Sequence, residues 1–355
     1  MEYKFSDFRK KIKELYLDIY FKIRSIKMKK GDKIFLTSTD GIGDNVVRQK
    51  ILSNFLKKYG PENVIILCKE KVKPFLTKIG YTNIIVYSDE YRKRCNKKIQ
   101  LISKISQLGI QKIISLEFDQ HDIFIKYLID VPKIGYTNNF NNWIDQYYNE
   151  LVRINKNDYI MISVKKMYEY LFDTSITFEE IHPNIEEFYN INKNLNIITF
   201  GIGSADRKKM LSVDKVNEIL NILRELFPAK DIIILGKGEL ETKFENEYIE
   251  KFRKDDKIIF LINKISFEET MKLINSSILY IGVDSGLYNL AFGLKKNVVA
   301  FFAQKNTFSH DIFENVEIIY GKNKHTQKKE YYFGCMEINN IDGELIKEKL
   351  KKYAN

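Results

Sequence analysis

Residues 33–59 read KIFLTSTDGIGDNVVRQKILSNFLKKY. Lys33–Ser38 is an apolar run of strand length. Thr39–Gly43 is a short loop holding Gly41 and Gly43. From Asp44 to Tyr59, Val46, Val47, Ile51, Leu52, Phe55 and Leu56 recur at helical spacing. A buried strand, a glycine turn and an amphipathic helix are the first step of a parallel sheet covered by helices. The pattern continues outward. Strands are predicted at Asn63–Cys68, Asn83–Tyr87 and Lys112–Leu116, with helices at Val72–Ile79, Lys97–Leu108, Ile123–Leu128 and Tyr159–Phe172. A second alternation begins at Asn196. Its strands are Asn196–Phe200, Asp231–Leu235, Ile258–Leu261, Leu279–Gly282 and Asn297–Phe302, the last completing the set. Its helices are Val213–Phe227, Glu239–Phe252, Phe267–Asn275 and Gly286–Leu294. The expected class is α/β, with two Rossmann-like halves that bind ligands at the carboxyl ends of their strands and in the cleft between them.

The chain has 355 residues, 44% hydrophobic and 30% charged, as a soluble globular protein of two domains does. No apolar run approaches the ~18 residues of a membrane span. Cys68, Cys95 and Cys335 are odd in number and far apart, which predicts a reducing compartment and no zinc cluster. With no signal-peptide pattern at the N-terminus, a cytoplasmic location is expected. The boundaries follow: a basic helix at 1–30, a first domain at 31–172, a linker at 173–195 around His182-Pro183, and a second domain with a terminal helix at 196–355.

Charge is uneven. The chain carries a formal +11, and residues 1–30 hold ten Lys and Arg against four acids, a net +6. Phe5, Phe8, Ile12, Leu15, Ile19, Ile23 and Ile26 form one helical face there, with Tyr16, Tyr20 and Phe21 near its edge. Such a helix either lies on an anionic leaflet or docks on the body of the protein. The remaining charge is too dispersed for a nucleic-acid footprint.

Three loops between a strand and a helix can carry chemistry. In Asp40-Gly41-Ile42-Gly43-Asp44, Asp44 falls at a helix start, where a carboxylate is kept ionised and can accept a proton, or simply caps the helix. Phe200-Gly201-Ile202-Gly203-Ser204, followed by Arg207, Lys208 and Lys209, suits a diphosphate or is a solvated basic loop. Gly282-Val283-Asp284-Ser285-Gly286-Leu287-Tyr288-Asn289-Leu290 offers helix N-terminal amides to phosphate oxygens, or only caps them. Gly236-Lys237-Gly238-Glu239 and Asn263–Glu268 can touch a nucleoside or are ordinary turns. His121, His182, His310 and His325 are scattered as structural histidines are. No Gly-x-Ser-x-Gly, His-Glu-x-x-His or Asp-x-Asp stands in the sequence, and no metal site is implied.

In order and spacing these motifs resemble glycosyltransferase family 9, the heptosyltransferase-like enzymes of bacterial lipopolysaccharide assembly, over roughly residues 31–350. Asp40–Asp44, Ile134-Gly135, the basic glycine loop with Leu211-Ser212, Gly236–Glu239, Asn263–Glu268, Val283–Leu290 and Cys335-Met336 each look like a family segment. The resemblance implies a GT-B architecture, two Rossmann-like domains facing across a cleft, here with an added N-terminal amphipathic helix. It implies an inverting transfer of a sugar, heptose from ADP-heptose, to a lipopolysaccharide or other cell-envelope glycan, with no tightly bound cofactor. The alternatives are another nucleotide sugar, a soluble or protein acceptor, or a non-catalytic membrane-associated protein of the same fold. Asp44 would be the general base and Lys209, or its neighbour Lys208, would neutralise the donor diphosphate. Gly203, Ser204, Gly236, Glu239, Asp284, Ser285 and Gly286 would complete the donor side, with Glu239 on the ribose. Asp40, Gly41, Gly43, Glu117 and His121 would lie on the acceptor side. The partners implied are a nucleotide sugar, a glycolipid or oligosaccharide, and an anionic membrane surface under residues 1–30. The sequence departs from the family where its signature His is Asn289, where its His-Pro-Gly is Phe200-Gly201-Ile202, and where Asn263–Ser266 lacks a middle Gly.

Overall fold

Continuous apolar strands need cover on both faces, and helices supply it in two sheets. The computed structural model describes residues 2–24, 26–117, 123–137, 144–155, 157–189, 196–253, 255–306, 309–321 and 331–354. The first sheet holds β1 (Lys33–Ser38), β2 (Val64–Cys68), β3 (Asn83–Val86), β4 (Ile110–Ser115), β5 (Lys133–Thr137) and β6 (Glu150–Arg153), in the order β3-β2-β1-β4-β5-β6. All its pairings are parallel. The second holds β7 (Ile197–Gly201), β8 (Asp231–Leu235), β9 (Ile258–Phe260), β10 (Leu279–Val283), β11 (Val298–Phe302) and β12 (Val316–Tyr320), in the order β12-β11-β10-β7-β8-β9, again all parallel. Both orders are the doubly wound arrangement. The direction of winding reverses between β1 and β4 in one sheet and between β7 and β10 in the other.

The chain divides into two compact units. One comprises residues 1–45, 51–156 and 166–174, the other 46–50, 157–165 and 175–355. The first has a core of Phe35, Ile65, Leu67, Leu101, Ile105 and Ile113, among others. The second packs Phe200, Ile234, Ile281 and Phe301 against Val216, Leu220, Leu223 and Ile346.

Several expectations change. The predicted set of strands omits β5, β6 and β12, so Asn297–Phe302 does not complete the second sheet. The helix expected over Asp44–Tyr59 is two helices, α2 (Ile42–Val47) and α3 (Gln49–Tyr59), divided at Arg48. Asn45–Gln49 are buried in succession. A continuous surface helix with a single apolar face cannot bury five residues in a row. Ile123–Tyr127 is a 3-10 turn rather than an α-helix. The segment expected as a linker contains the helix Phe178–Ile181, whose Thr177 and Glu180 form a reciprocal capping box. Residues 190–195 of that segment lie outside the described residues.

The N-terminal helix α1 (Glu2–Arg24) packs on the first unit by a face the sequence did not single out. Leu17 is buried, Phe21 stacks on Tyr127 with ring centroids 4.6 Å apart, and Asp18 accepts a hydrogen bond from the Tyr127 hydroxyl at 2.8 Å. Ile12, Leu15, Ile19 and Ile23, the expected apolar face, are exposed.

Candidate active site

The first candidate loop leaves the carboxyl end of β1, beside the switch to β4, where doubly wound sheets bind ligands. Glu117, just past β4, fixes that exit. It accepts hydrogen bonds from the hydroxyls of Thr37 and Ser115 on one oxygen, and from the Thr39 amide and hydroxyl, both at 2.9 Å, on the other. Both oxygens are engaged, and the residue is 7% exposed. Glu117 therefore ties the two strand ends together instead of presenting a carboxylate to an acceptor. His121 lies outside the described residues.

After Asp40, α2 begins at Ile42, which makes Asp44 its third residue and not its N-cap. Its Oδ2 accepts a hydrogen bond from the Gly41 amide at 2.8 Å, and the Asn45 side chain donates to the Gly41 carbonyl at 2.8 Å. Gly41 is thus held from both sides. Asp44 is half-buried, with its carboxylate at the positive end of the helix. Asp40 is half-buried and Gly43 buried.

In the second unit the loops after β7 and β10 meet. Lys209 Nζ lies 2.7 Å from Asp284 Oδ2, and the Ser204 hydroxyl donates to the Asp284 carbonyl at 3.1 Å. Lys209 sits in a 3-10 turn, Arg207–Lys209, capped by Asp206, while Lys208 in the same turn is exposed. Ser285 caps the helix Gly286–Gly293 through the Tyr288 amide. A lysine ammonium, a hydroxyl and the first turn of a helix thus share one strand edge, as an anion site requires.

The third donor loop brings in a residue that the sequence did not mark. Glu239 is exposed in the first turn of the helix Glu239–Lys251. Glu241, two residues on, turns inward and is 6% exposed. A methyl group on Gly203 would come within 2.2 Å of its Oε1, and one on Gly236 within 2.8 Å of its Cγ. Gly238, at φ 140°, turns the chain so that this carboxylate faces the loops after β7 and β8. Among the described residues, the hydrogen-bond partner of the Glu241 carboxylate is its own amide, and burial pushes its pKa up. The nearby Asn263 is a clamp: its side chain accepts from the Gly238 amide and donates to the Gly238 carbonyl and to Thr242.

Asn289, in the position of the family's signature His, is also fully used. Its amide donates to the Ser285 carbonyl at 3.1 Å, and its oxygen lies 2.8 Å from His310 Nε2. An amide oxygen accepts only, so Nε2 carries the proton and Nδ1 is the bare nitrogen. Nδ1 is buried with no partner among the described residues, which suits that tautomer. Phe292 stacks between His310 and His182, at 3.9 and 4.2 Å. Burial pushes both imidazoles down, to about 3 and about 4. Burial also pushes the Cys68 thiol up to about 12. Among the described residues no group of three or more His, Cys, Asp or Glu is placed to hold a metal ion.

Comparison with known proteins gives a consistent result. Residues 194–336 match the model of glycosyltransferase family 9 (heptosyltransferase). Lipopolysaccharide heptosyltransferase 1 of Campylobacter coli is 21% identical over 339 residues, spanning 89% of this chain and 98% of its own length. Among solved structures, the E. coli heptosyltransferase WaaC with ADP-2-deoxy-2-fluoro heptose superposes with a TM-score of 0.68 at 11% identity. It covers 90% of this chain and 99% of its own. A family 9 glycosyl transferase from Veillonella parvula superposes at 0.64 with 15% identity, covering 93% and 99%. The two parallel-sheet units are those of a GT-B-like fold.

Proposed function

From a chain that is heptosyltransferase-like, with a glycosyltransferase family 9 match across most of its second unit, we propose an inverting transferase that moves heptose from ADP-heptose to a lipopolysaccharide or other cell-envelope glycan. The observation that carries this is the meeting of Lys209, Ser204, Asp284 and Ser285 at the carboxyl ends of β7 and β10.

The chemistry needs a base for the acceptor and a place for the charge of the leaving diphosphate. Asp44 takes the proton of the acceptor hydroxyl as its oxygen attacks the anomeric carbon. The bond from that carbon to the diphosphate oxygen breaks on the opposite face, and the configuration inverts. Lys209 and the amides that open the helix Gly286–Gly293 receive the developing negative charge. Asp284 aims Lys209, and the ammonium keeps further N–H groups for phosphate oxygens. Glu241, in its glycine cradle, takes the vicinal hydroxyls of the nucleoside ribose, the role the resemblance gave to Glu239. The enzyme works in the cytoplasm, where nucleotide sugars are made and used.

A second proposal keeps the mechanism and changes the donor. It is favoured by Asn289, whose amide is spent on Ser285 and His310 where the family has a His. Thermal stabilisation by a panel of nucleotides separates the two, because a ligand of the native state raises its melting temperature. A rise with ADP and ADP-heptose alone supports the first, and a rise with UDP or GDP derivatives supports the second. A folded protein that responds to no nucleotide contradicts both.

A further inference from the structure

Among the side chains described for α1, those from residue 11 onward, Ile12, Leu15, Tyr16, Ile19 and Ile23 are 51–76% exposed. They recur at steps of three and four and make one stripe. At about 3.6 residues per turn, Leu17 and Phe21, which pack on the body, fall on the opposite side of the helix. The apolar stripe is therefore not the face that holds α1 in place.

Charge is sorted around it. Asp18 faces the body, paired with Lys126 at 2.6 Å and with the Tyr127 hydroxyl. Glu14 lies on the same side, with its backbone carbonyl 3.5 Å from that hydroxyl. Lys11 and Lys22 border the stripe on one side, and Lys13 and Arg24 border it on the other. All four are exposed, and Lys27, Lys29 and Lys30 follow, exposed as well. Acids turned inward and cations along both edges leave an apolar band in a positive frame. Two copies of such a face would set like charges against each other, which disfavours self-association. An anionic bilayer surface satisfies both parts: acyl chains take the isoleucines and headgroups take the lysines, whose stems extend along the band. The helix lies on that surface and does not cross it, since among the described residues no helix is long and apolar enough to span a membrane.

We propose that the outward face of α1 is a docking surface for an anionic lipid leaflet, with the first unit carried on the helix by Leu17, Phe21 and Asp18. This stands on exposure and charge alone and is independent of the transferase chemistry.

The test is co-sedimentation of the full chain with phosphatidylcholine vesicles, with and without phosphatidylglycerol. Two variants are compared: Ile12→Ser/Ile19→Ser/Ile23→Ser, and Lys11→Gln/Lys13→Gln/Lys22→Gln/Arg24→Gln. The wild type should bind the anionic vesicles and release them at high salt. The charge variant should bind them ~10²-fold more weakly or worse, and the serine variant at least ~10-fold more weakly. Melting temperature and nucleotide response should stay unchanged, since the altered side chains are exposed. Equal binding by the wild type and the serine variant would overturn the proposal. So would a wild-type dimer that the serine variant converts to monomer, because the stripe would then belong to a second copy. The nucleotide response of the same variants reads the transferase proposal separately.

Discussion

Glu117 and Glu241 stand at equivalent depths in the two units, 7% and 6% exposed, each just past the carboxyl edge of its sheet. Four donors fill the first. Glycines surround the second, whose hydrogen-bond partner among the described residues is its own amide. A saturated carboxylate is part of the frame, because its acceptor capacity is used inside the protein. An unsaturated one beside a phosphate-type loop keeps that capacity for a ligand. Burial alone does not separate the two roles; the number of donors at each oxygen does.

The largest effect should come from emptying the saturated site. Glu117→Ala leaves the Thr37 and Ser115 hydroxyls and the Thr39 amide without their acceptor, at a cost of about 3 kcal/mol or more. Urea denaturation should show that loss, and an unchanged midpoint would mean that the clamp is not structural. Asp44→Asn should come next. It keeps the hydrogen bond to Gly41 available through the amide oxygen but removes the base, so turnover falls ~10²-fold or more, while nucleotide binding and stability hold. Near-normal turnover would end that assignment. Lys209→Ala should weaken donor binding by about 10-fold or more, the loss of a charge-assisted contact to phosphate. Lys208→Ala, at the exposed neighbour, should do less. If the order is reversed, the Lys209–Asp284 pair is structural and the diphosphate lies elsewhere.

The pH dependence sharpens the contrast from another side. His182 and His310 have folded pKa values near 4 and 3, depressed from the ordinary 6.5. The unfolded chain therefore binds protons that the folded chain refuses. Their contribution is complete above about pH 6.5 and is lost as pH falls toward those folded values. Denaturation measured between pH 6 and pH 4 should lose roughly 1.4 kcal/mol per pH unit for each histidine. His310→Phe should flatten the curve by one of those contributions.

Much of the fold was legible because central strands of a parallel sheet are unbroken apolar runs. VIILC at Val64–Cys68 and DIIIL at Asp231–Leu235 have few other readings. What escaped lies toward the sheet margins. Glu150–Arg153 and Val316–Tyr320 are edge strands with polar residues in alternation, and Lys133–Thr137 carries a Gly and a Lys. Partial cover allows partial polarity, and the strand signal fades with it. The site was legible as motifs, since Ser204, Lys209, Asp284 and Ser285 were all marked and the second unit brings them together. Glu241 was not, because the helix opens Glu239-Leu240-Glu241 and composition does not say which carboxylate turns inward. That is decided by Gly238 and its clamp on Asn263. Glu117 reads as an available acid in the sequence, and only the convergence of three residues from two strand ends shows that it is filled. For α1, periodicity found the apolar stripe but could not show that the helix docks by its other side.

Calorimetric titration of ADP into the wild type and Glu241→Gln tests the central claim most directly. The account predicts that the wild type binds, that the variant binds at least ~10-fold more weakly for want of a full carboxylate, and that its melting temperature without nucleotide does not fall. Equal affinity in the two proteins would contradict it, leaving Glu241 a buried acid like Glu117 with no part in holding the donor.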